Sequence, residues 1–134
     1  MSRSGLKLYE SSVSPNSRRV RIFLAEKGIE IPMERVRMQN REHKAPDFVK
    51  KNSLGQVPVL ELDDGTCLSE SVAICRYLEE LNPAPALFGK DAVSRAQTEM
   101  WIRRAEFRLW SPMGQVWIND DPRTKWNANW LNKT

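Results

Sequence analysis

The chain reads as an α/β protein in which helices cover a mixed sheet, followed by a shorter, purely helical region. Three observations carry that expectation. Residues 6–82 alternate apolar runs of period two with runs of helical period, Asp63-Asp64-Gly65 marks a tight hairpin between two of the strands, and only helical periodicity remains after Pro83-Ala84-Pro85.

Taken in order, Leu6-Lys7-Leu8-Tyr9 has the alternation of a half-buried strand, and Ser11 to Pro15 is a loop of small polar residues. From Ser17 the pattern turns helical, with Val20, Phe23 and Leu24 on one face and Lys27-Gly28 as a cationic last turn closed by glycine. Ile31 to Met38 alternates again and predicts a second strand. Pro46 opens a short helix over Asp47 to Lys51, which Asn52 to Gly55 ends. Val57 to Leu62 is a third strand, the Asp63-Asp64-Gly65 turn follows, and Thr66-Cys67-Leu68 returns as the fourth. A helix starts at once, with Ser69 as its cap candidate, Ile74, Leu78 and Leu81 as its apolar stripe and Asn82-Pro83 as its stop. The linker spans residues 83–90. From Asp91 the spacing predicts one long helix to about Trp110, with Val93, Ala96, Met100, Phe107 and Trp110 on one face and Trp101 and Ala105 on another. Such a helix calls for several neighbours, yet only 17 residues follow Trp117, among them Pro122, Trp126 and Trp130. The expected organisation is therefore an α/β domain over 1–82 and a partial helical domain over 91–134.

Composition narrows the functional classes. The 134 residues are 40% apolar and 28% charged, which excludes a disordered or fibrous chain. A net charge of +4, spread along the chain, is poor support for nucleic-acid binding and suits small anionic ligands. No run approaches the roughly 18 apolar residues of a spanning helix, and no signal-peptide pattern opens the chain, so no membrane partner and a cytoplasmic location are expected. Cys67 and Cys75 stand outside Cys-x-x-Cys spacing; they predict reduced packing residues and no metal site.

Four constellations can carry chemistry. Ser14-Pro15-Asn16-Ser17 has the spacing of a redox Cys-Pro-x-Cys with both sulfurs replaced by oxygen, at a strand-to-helix turn. Dithiol exchange is excluded there. A serine hydroxyl at a helix start can instead donate to a bound thiolate and lower that thiol's pKa, or it can simply cap the helix with Pro15 at the first position. Arg18 and Arg19 either add positive potential near such a sulfur or are solvated helix charges. Val57-Pro58 enters a strand; a cis bond there would turn the Val57 amide and carbonyl towards the first loop, where they can pair with a ligand's backbone. Leu68-Ser69-Glu70-Ser71 opens a helix whose free amides, with the Ser71 hydroxyl, make a carboxylate site, while Glu70 can accept from an ammonium. Ordinary capping accounts for the same residues. In the basic stretch Asn40 to Lys44, Lys44 can hold a second carboxylate beside His43, or both can be solvated surface groups.

These residues resemble the glutathione S-transferase family. Ser14-Pro15-Asn16-Ser17-Arg18-Arg19-Val20-Arg21-Ile22, Glu42-His43-Lys44-x-Pro46-x-Phe48, Asn52-x-x-Gly55-Gln56-Val57-Pro58-Val59-Leu60 and Leu68-Ser69-Glu70-Ser71-x-Ala73-Ile74-x-Arg76-Tyr77-Leu78 occur in the family's order. Their spacings are close to those of its serine-type, bacterial, phi-like and theta-like members. The resemblance implies a thioredoxin-like, four-stranded N-terminal domain that binds glutathione as co-substrate, and a helical C-terminal domain that supplies most of the pocket for a hydrophobic electrophile. By position, Ser14 resembles the serine that hydrogen-bonds the glutathione sulfur. Val57, before the family's cis-proline Pro58 and beside Gln56, resembles the residue that pairs with the cysteinyl backbone. Glu70 and Ser71 match the γ-glutamyl anchors, and His43 and Lys44 match positions that reach the glycine carboxylate. The family further implies detoxifying thiolate transfer and a two-fold homodimer packed near Arg76 and Trp101. The short helical region leaves the electrophile pocket incomplete by expectation. It also keeps two alternatives open: a non-catalytic module on the same fold, and a glutathione-dependent reductase or isomerase.

Overall fold

A computed structural model describes residues 5–120, so Pro122, Trp126 and Trp130 lie outside the described residues. The chain forms two compact units, the first ending at Leu87 and the second beginning at Phe88.

The first unit contains β1 (Lys7–Glu10), α1 (Pro15–Lys27), β2 (Met33–Arg35), two single 3-10 turns (Met38–Asn40 and Glu42–Lys44), α2 (Pro46–Lys51), β3 (Val59–Glu61), β4 (Cys67–Ser69) and α3 (Ser71–Leu81). The sheet order is β2-β1-β3-β4, with β1 parallel to β2 and antiparallel to β3, and β3 antiparallel to β4. This is the mixed, thioredoxin-like sheet that the resemblance implies.

Strand alternation splits the sheet into two faces. Opposed pairs Tyr9 with Val59 and Leu8 with Leu60 fix the register, so Tyr9 and Val59 share one face while Leu8 and Leu60 share the other. On the first face, Phe48 of α2 meets the Tyr9 ring edge-on at 6.2 Å, and Val36, Val57 and Val59 complete the cluster. On the second, Leu8 and Leu60 are fully buried along with Val20 of α1 and Ile74 and Leu78 of α3. Each such side chain contributes roughly 1.5–3 kcal/mol when removed from water.

β2 and β3 are shorter than their sequence patterns, whereas β1 and β4 keep the expected lengths, each shifted by one residue. β2 is an edge strand, and its register with β1 runs out where Glu10 meets Arg35. At the start of β3, Pro58 has no N–H to give a ladder. α1 begins at Pro15, capped by Ser14, and ends at Gly28 with φ 62°, whose N–H bonds back to Ala25 and Leu24 carbonyls. The cap of α3 is Glu70 and not Ser69: the Ser69 backbone is committed to pairing with Val59, so the turn falls one residue later, at φ 68°.

The second unit departs further from the expected single helix. Asp91 caps α4 (Ala92–Ala105) through a reciprocal capping box with Ser94. The chain then continues through a π turn (Glu106–Trp110) into α5 (Ser111–Asp120), ten residues beyond the predicted end. Pro112 explains the widening. It has no N–H, and its ring would crowd the carbonyl four residues back; the Ser111 N–H instead reaches Glu106 O, five residues back. Val93, Trp101, Phe107, Leu109, Val116 and Trp117 are all exposed.

Candidate functional site

The sheet register collects the four sequence motifs at one end. The Ser14 loop follows the C-terminal end of β1, and the 3-10 turn carrying His43 and Lys44 lies in the connection that leaves the same end of β2. Gln56-Val57-Pro58 precedes the antiparallel β3, and Glu70-Ser71 follows β4. Strand order therefore sets Ser14, Val57-Pro58 and Glu70/Ser71 side by side, while Lys44 reaches the turn just ahead of Val57.

Ser14 is 8% exposed and caps α1, its Oγ accepting from Ser17 N–H at 3.2 Å. A hydroxyl that accepts in this way keeps its own proton to donate, so capping and thiolate stabilisation are compatible roles for one oxygen. Ser17 is fully buried and its Oγ accepts from Ser11 N–H at 3.2 Å, which braces the loop from beneath.

Val57 and Pro58 are buried and their peptide bond is cis. The turn ahead of them is shaped by Asn52, whose side chain donates to Gln56 O at 2.9 Å and accepts from Leu54 N–H at 3.2 Å. The Gln56 side chain is exposed. Gly55 adopts φ +57°, and a Cβ there would stand 2.7 Å from His43 O and 3.1 Å from Lys44 Nζ, so only glycine lets these two loops touch.

His43 differs from the solvated surface group that its sequence context also allowed. It is 2% exposed. Burial, with the cations Lys44 and Arg41 nearby, holds its imidazole below the ordinary histidine range and favours the neutral ring. Lys44 turns inward as well, donating to Leu54 O at 3.1 Å and Gly55 O at 3.0 Å. Burial and Arg41 lower its pKa. Lys44 thus ties the 3-10 turn to the Gln56-Val57 approach while keeping an ammonium there.

Glu70 is exposed and Ser71 is 6% exposed at the first position of α3. Glu70 holds its positive φ without a side-chain cap bond, a conformation that costs a non-glycine residue on the order of 1–3 kcal/mol and clusters at functional sites. Arg18 is exposed, whereas Arg19 donates through Nη1 to Ser71 Oγ at 2.6 Å and Asn16 Oδ1 at 3.2 Å. That link between α1 and α3 is not expected from the sequence, where Arg19 is either a source of potential near a sulfur or a solvated helix charge. The three-residue spacing of Asn16 and Arg19 on one helix face signals their mutual contact, but no spacing signals the bond to Ser71. Among the described residues no group of three or more His, Cys, Asp or Glu side chains is placed to hold a metal ion.

A family model described as glutathione S-transferase, N-terminal domain, matches residues 13–81. Glutathione S-transferase 2 of Saccharomyces cerevisiae is 41% identical over 117 residues, which cover 86% of this chain and 50% of that protein. Maleylacetoacetate isomerase of Pseudomonas aeruginosa is 42% identical over 95 residues, covering 69% and 44%. Among solved structures, a glutathione transferase homolog from Sulfitobacter with bound glutathione superposes with a TM-score of 0.71 at 28% identity, covering 78% of this chain and 50% of that one. The chain spans about half the length of the curated relatives it matches. With the family model covering just over half of its residues, and a relative 41% identical over 86% of this chain's length, the chain belongs to the glutathione S-transferase family.

Proposed function

We propose that this chain binds glutathione across the four motifs at this end of the sheet and stabilises its thiolate through Ser14 for attack on a hydrophobic electrophile. The gathering of four complementary sets of groups at one end of the sheet carries the reading. They offer an ammonium at Lys44 beside the turn ahead of Val57, a hydroxyl donor at Ser14, backbone groups at Val57, and a hydroxyl with opening helix amides and a carboxylate at Ser71 and Glu70. Glutathione presents the complementary groups: a glycine carboxylate, a cysteinyl thiol and backbone, and a γ-glutamyl head with one carboxylate and one ammonium.

In this reading His43 stays neutral and packs the turn from which Lys44 meets the glycine carboxylate. Gln56 and Val57 pair with the cysteinyl backbone beside Pro58. Glu70 and Ser71 take the γ-glutamyl ammonium and carboxylate. The thiol proton leaves to water, and the Ser14 O–H donates to the sulfur. Carbon–sulfur bond formation then needs no covalent enzyme intermediate, because the contribution is anion stabilisation and positioning. Ser14 does not act as a base. A two-fold homodimer in the cytoplasm is the proposed setting. Exposed Trp101 and Phe107 support association, and the free Cys67 and Cys75 suit a reducing compartment.

The isomerase relative favours a second reading, in which the same thiolate adds reversibly to a double bond and is released. Product analysis separates the two: a covalent conjugate marks transfer, and rearranged substrate with glutathione recovered unchanged marks isomerisation. Binding itself is tested by calorimetric titration with glutathione. The wild-type chain is expected to bind and Ser71→Ala to bind more weakly; a folded wild type that does not bind overturns the proposal and leaves an interaction module on the same fold.

A further inference from the structure

Arg19 lies on α1, just beyond the Ser14 cap, yet its guanidinium reaches α3. Its Nη1 donates to Ser71 Oγ at 2.6 Å and to Asn16 Oδ1 at 3.2 Å. A guanidinium can only donate, so the Ser71 oxygen spends a lone pair on Arg19 and keeps its own proton for a different acceptor. The bond is charge-assisted and polarises that O–H. Ser71 is the first residue of α3, where backbone N–H groups of the opening turn and the positive end of the helix dipole also favour an anion. The influence of Arg19 extends into α3, since its charge opposes the rise that burial imposes on the Cys75 thiol.

Resting on the glutathione reading above, we infer that Arg19 is a positioning residue for the γ-glutamyl end of the site: it orients the Ser71 hydroxyl as a donor and makes binding depend on the ligand's α-carboxylate. Through Asn16 it also ties this anchor to the helix start that carries Ser14, so the head-group and thiol ends of the site share one brace. Lysine at this position would supply charge without the planar fork, and methionine would supply neither.

The test is calorimetric, with S-methylglutathione as the probe, so that thiol ionisation does not enter, and with its analogue in which 4-aminobutyrate replaces the γ-glutamyl residue and no α-carboxylate is present. Arg19→Met is expected to weaken S-methylglutathione binding roughly 10- to 100-fold, the effect of losing a charge-assisted hydrogen bond. The affinity of the carboxylate-free analogue is expected to be the same for wild type and variant, Arg19→Lys to recover part of the loss, and Arg19→Met with Ser71→Ala to bind no more weakly than Ser71→Ala alone. If Arg19→Met weakens both ligands alike, or if the two substitutions multiply, Arg19 acts on the fold and the inference is overturned. Should Arg19→Met fail to fold, Arg19→Lys carries the same comparison between the two ligands. A wild type that binds neither probe defeats the glutathione reading itself, whereas wild-type affinity in the Arg19 variants defeats only the role given to Arg19.

Discussion

The Lys27 ammonium pairs with the Glu79 carboxylate where α1 and α3 end side by side, and the two side chains are 0% and 9% exposed. Lys27 also donates to Asn82 O at 2.7 Å and to Pro85 O, so one cation serves the carboxylate of α3 and two carbonyls beyond its last turn. Glu79 in turn accepts from Leu87 N–H at 2.9 Å. The pair therefore locks the helices that hold Ser14 and Ser71 and fastens the segment leaving the first unit.

Removing one partner strands the other charge in a dry site. Lys27→Met is expected to destabilise the first unit by about 3–5 kcal/mol, and Lys27→Met with Glu79→Leu to recover much of that loss. Urea denaturation of the two variants measures the difference; equal loss in both would show that the buried charge is not the cause.

Ser14 joins a structural and a chemical role in one oxygen, and two substitutions separate them. Ser14→Ala is expected to cost roughly 1 kcal/mol of stability through the lost cap, and Ser14→Gly only a few tenths. Both lose the donor to sulfur equally. Denaturation curves should therefore rank the variants apart, while the pKa of bound glutathione's thiol rises by about the same amount in each.

Gly55 is where the Lys44 turn and the Val57 approach touch. Gly55→Ala places a methyl against His43 O and forces a left-handed backbone, which costs an ordinary residue roughly 1–2 kcal/mol before the clash is counted. The expected outcome is a lower melting temperature with a disproportionate loss of glutathione affinity, because Lys44 is displaced. Melting curves with and without glutathione test this, and an unchanged ligand-induced shift would contradict it.

His43 supplies a pH dependence. Its folded pKa is lowered, so the folded chain binds this proton less readily than the unfolded chain does. Stability from the neutral buried ring is present above the unfolded value of about 6.5 and declines as pH falls below it. Wild type is expected to melt progressively lower between neutral pH and about pH 5, with a shallower slope in His43→Gln. Parallel slopes would remove His43 as the cause.

Much of this was legible in the residues. The Lys27-Gly28 stop of α1, the Asp63-Asp64-Gly65 hairpin and the four motif segments lie where local chemistry puts them. Three things were not legible, each for a reason outside local sequence. β2 and β3 end where their partners end, which periodicity within one strand does not reveal. The cap of α3 moved from Ser69 to Glu70 because pairing with Val59 outcompetes a favourable capping residue. The contacts of Arg19 with Ser71 and of Lys44 with Gly55 join elements 52 and 11 residues apart in the chain, so no spacing rule exposes them.

The central claim is that this end of the sheet binds glutathione and makes its thiol more acidic through Ser14. Ultraviolet titration of the thiolate in the bound complex measures that directly, comparing wild type with Ser14→Ala at saturating glutathione. A hydrogen bond to a charged acceptor is worth about 1.5–3 kcal/mol, so the bound thiol is predicted to ionise roughly one to two pH units lower in wild type than in Ser14→Ala. Identical titration curves, with both proteins folded and saturated, would contradict the account.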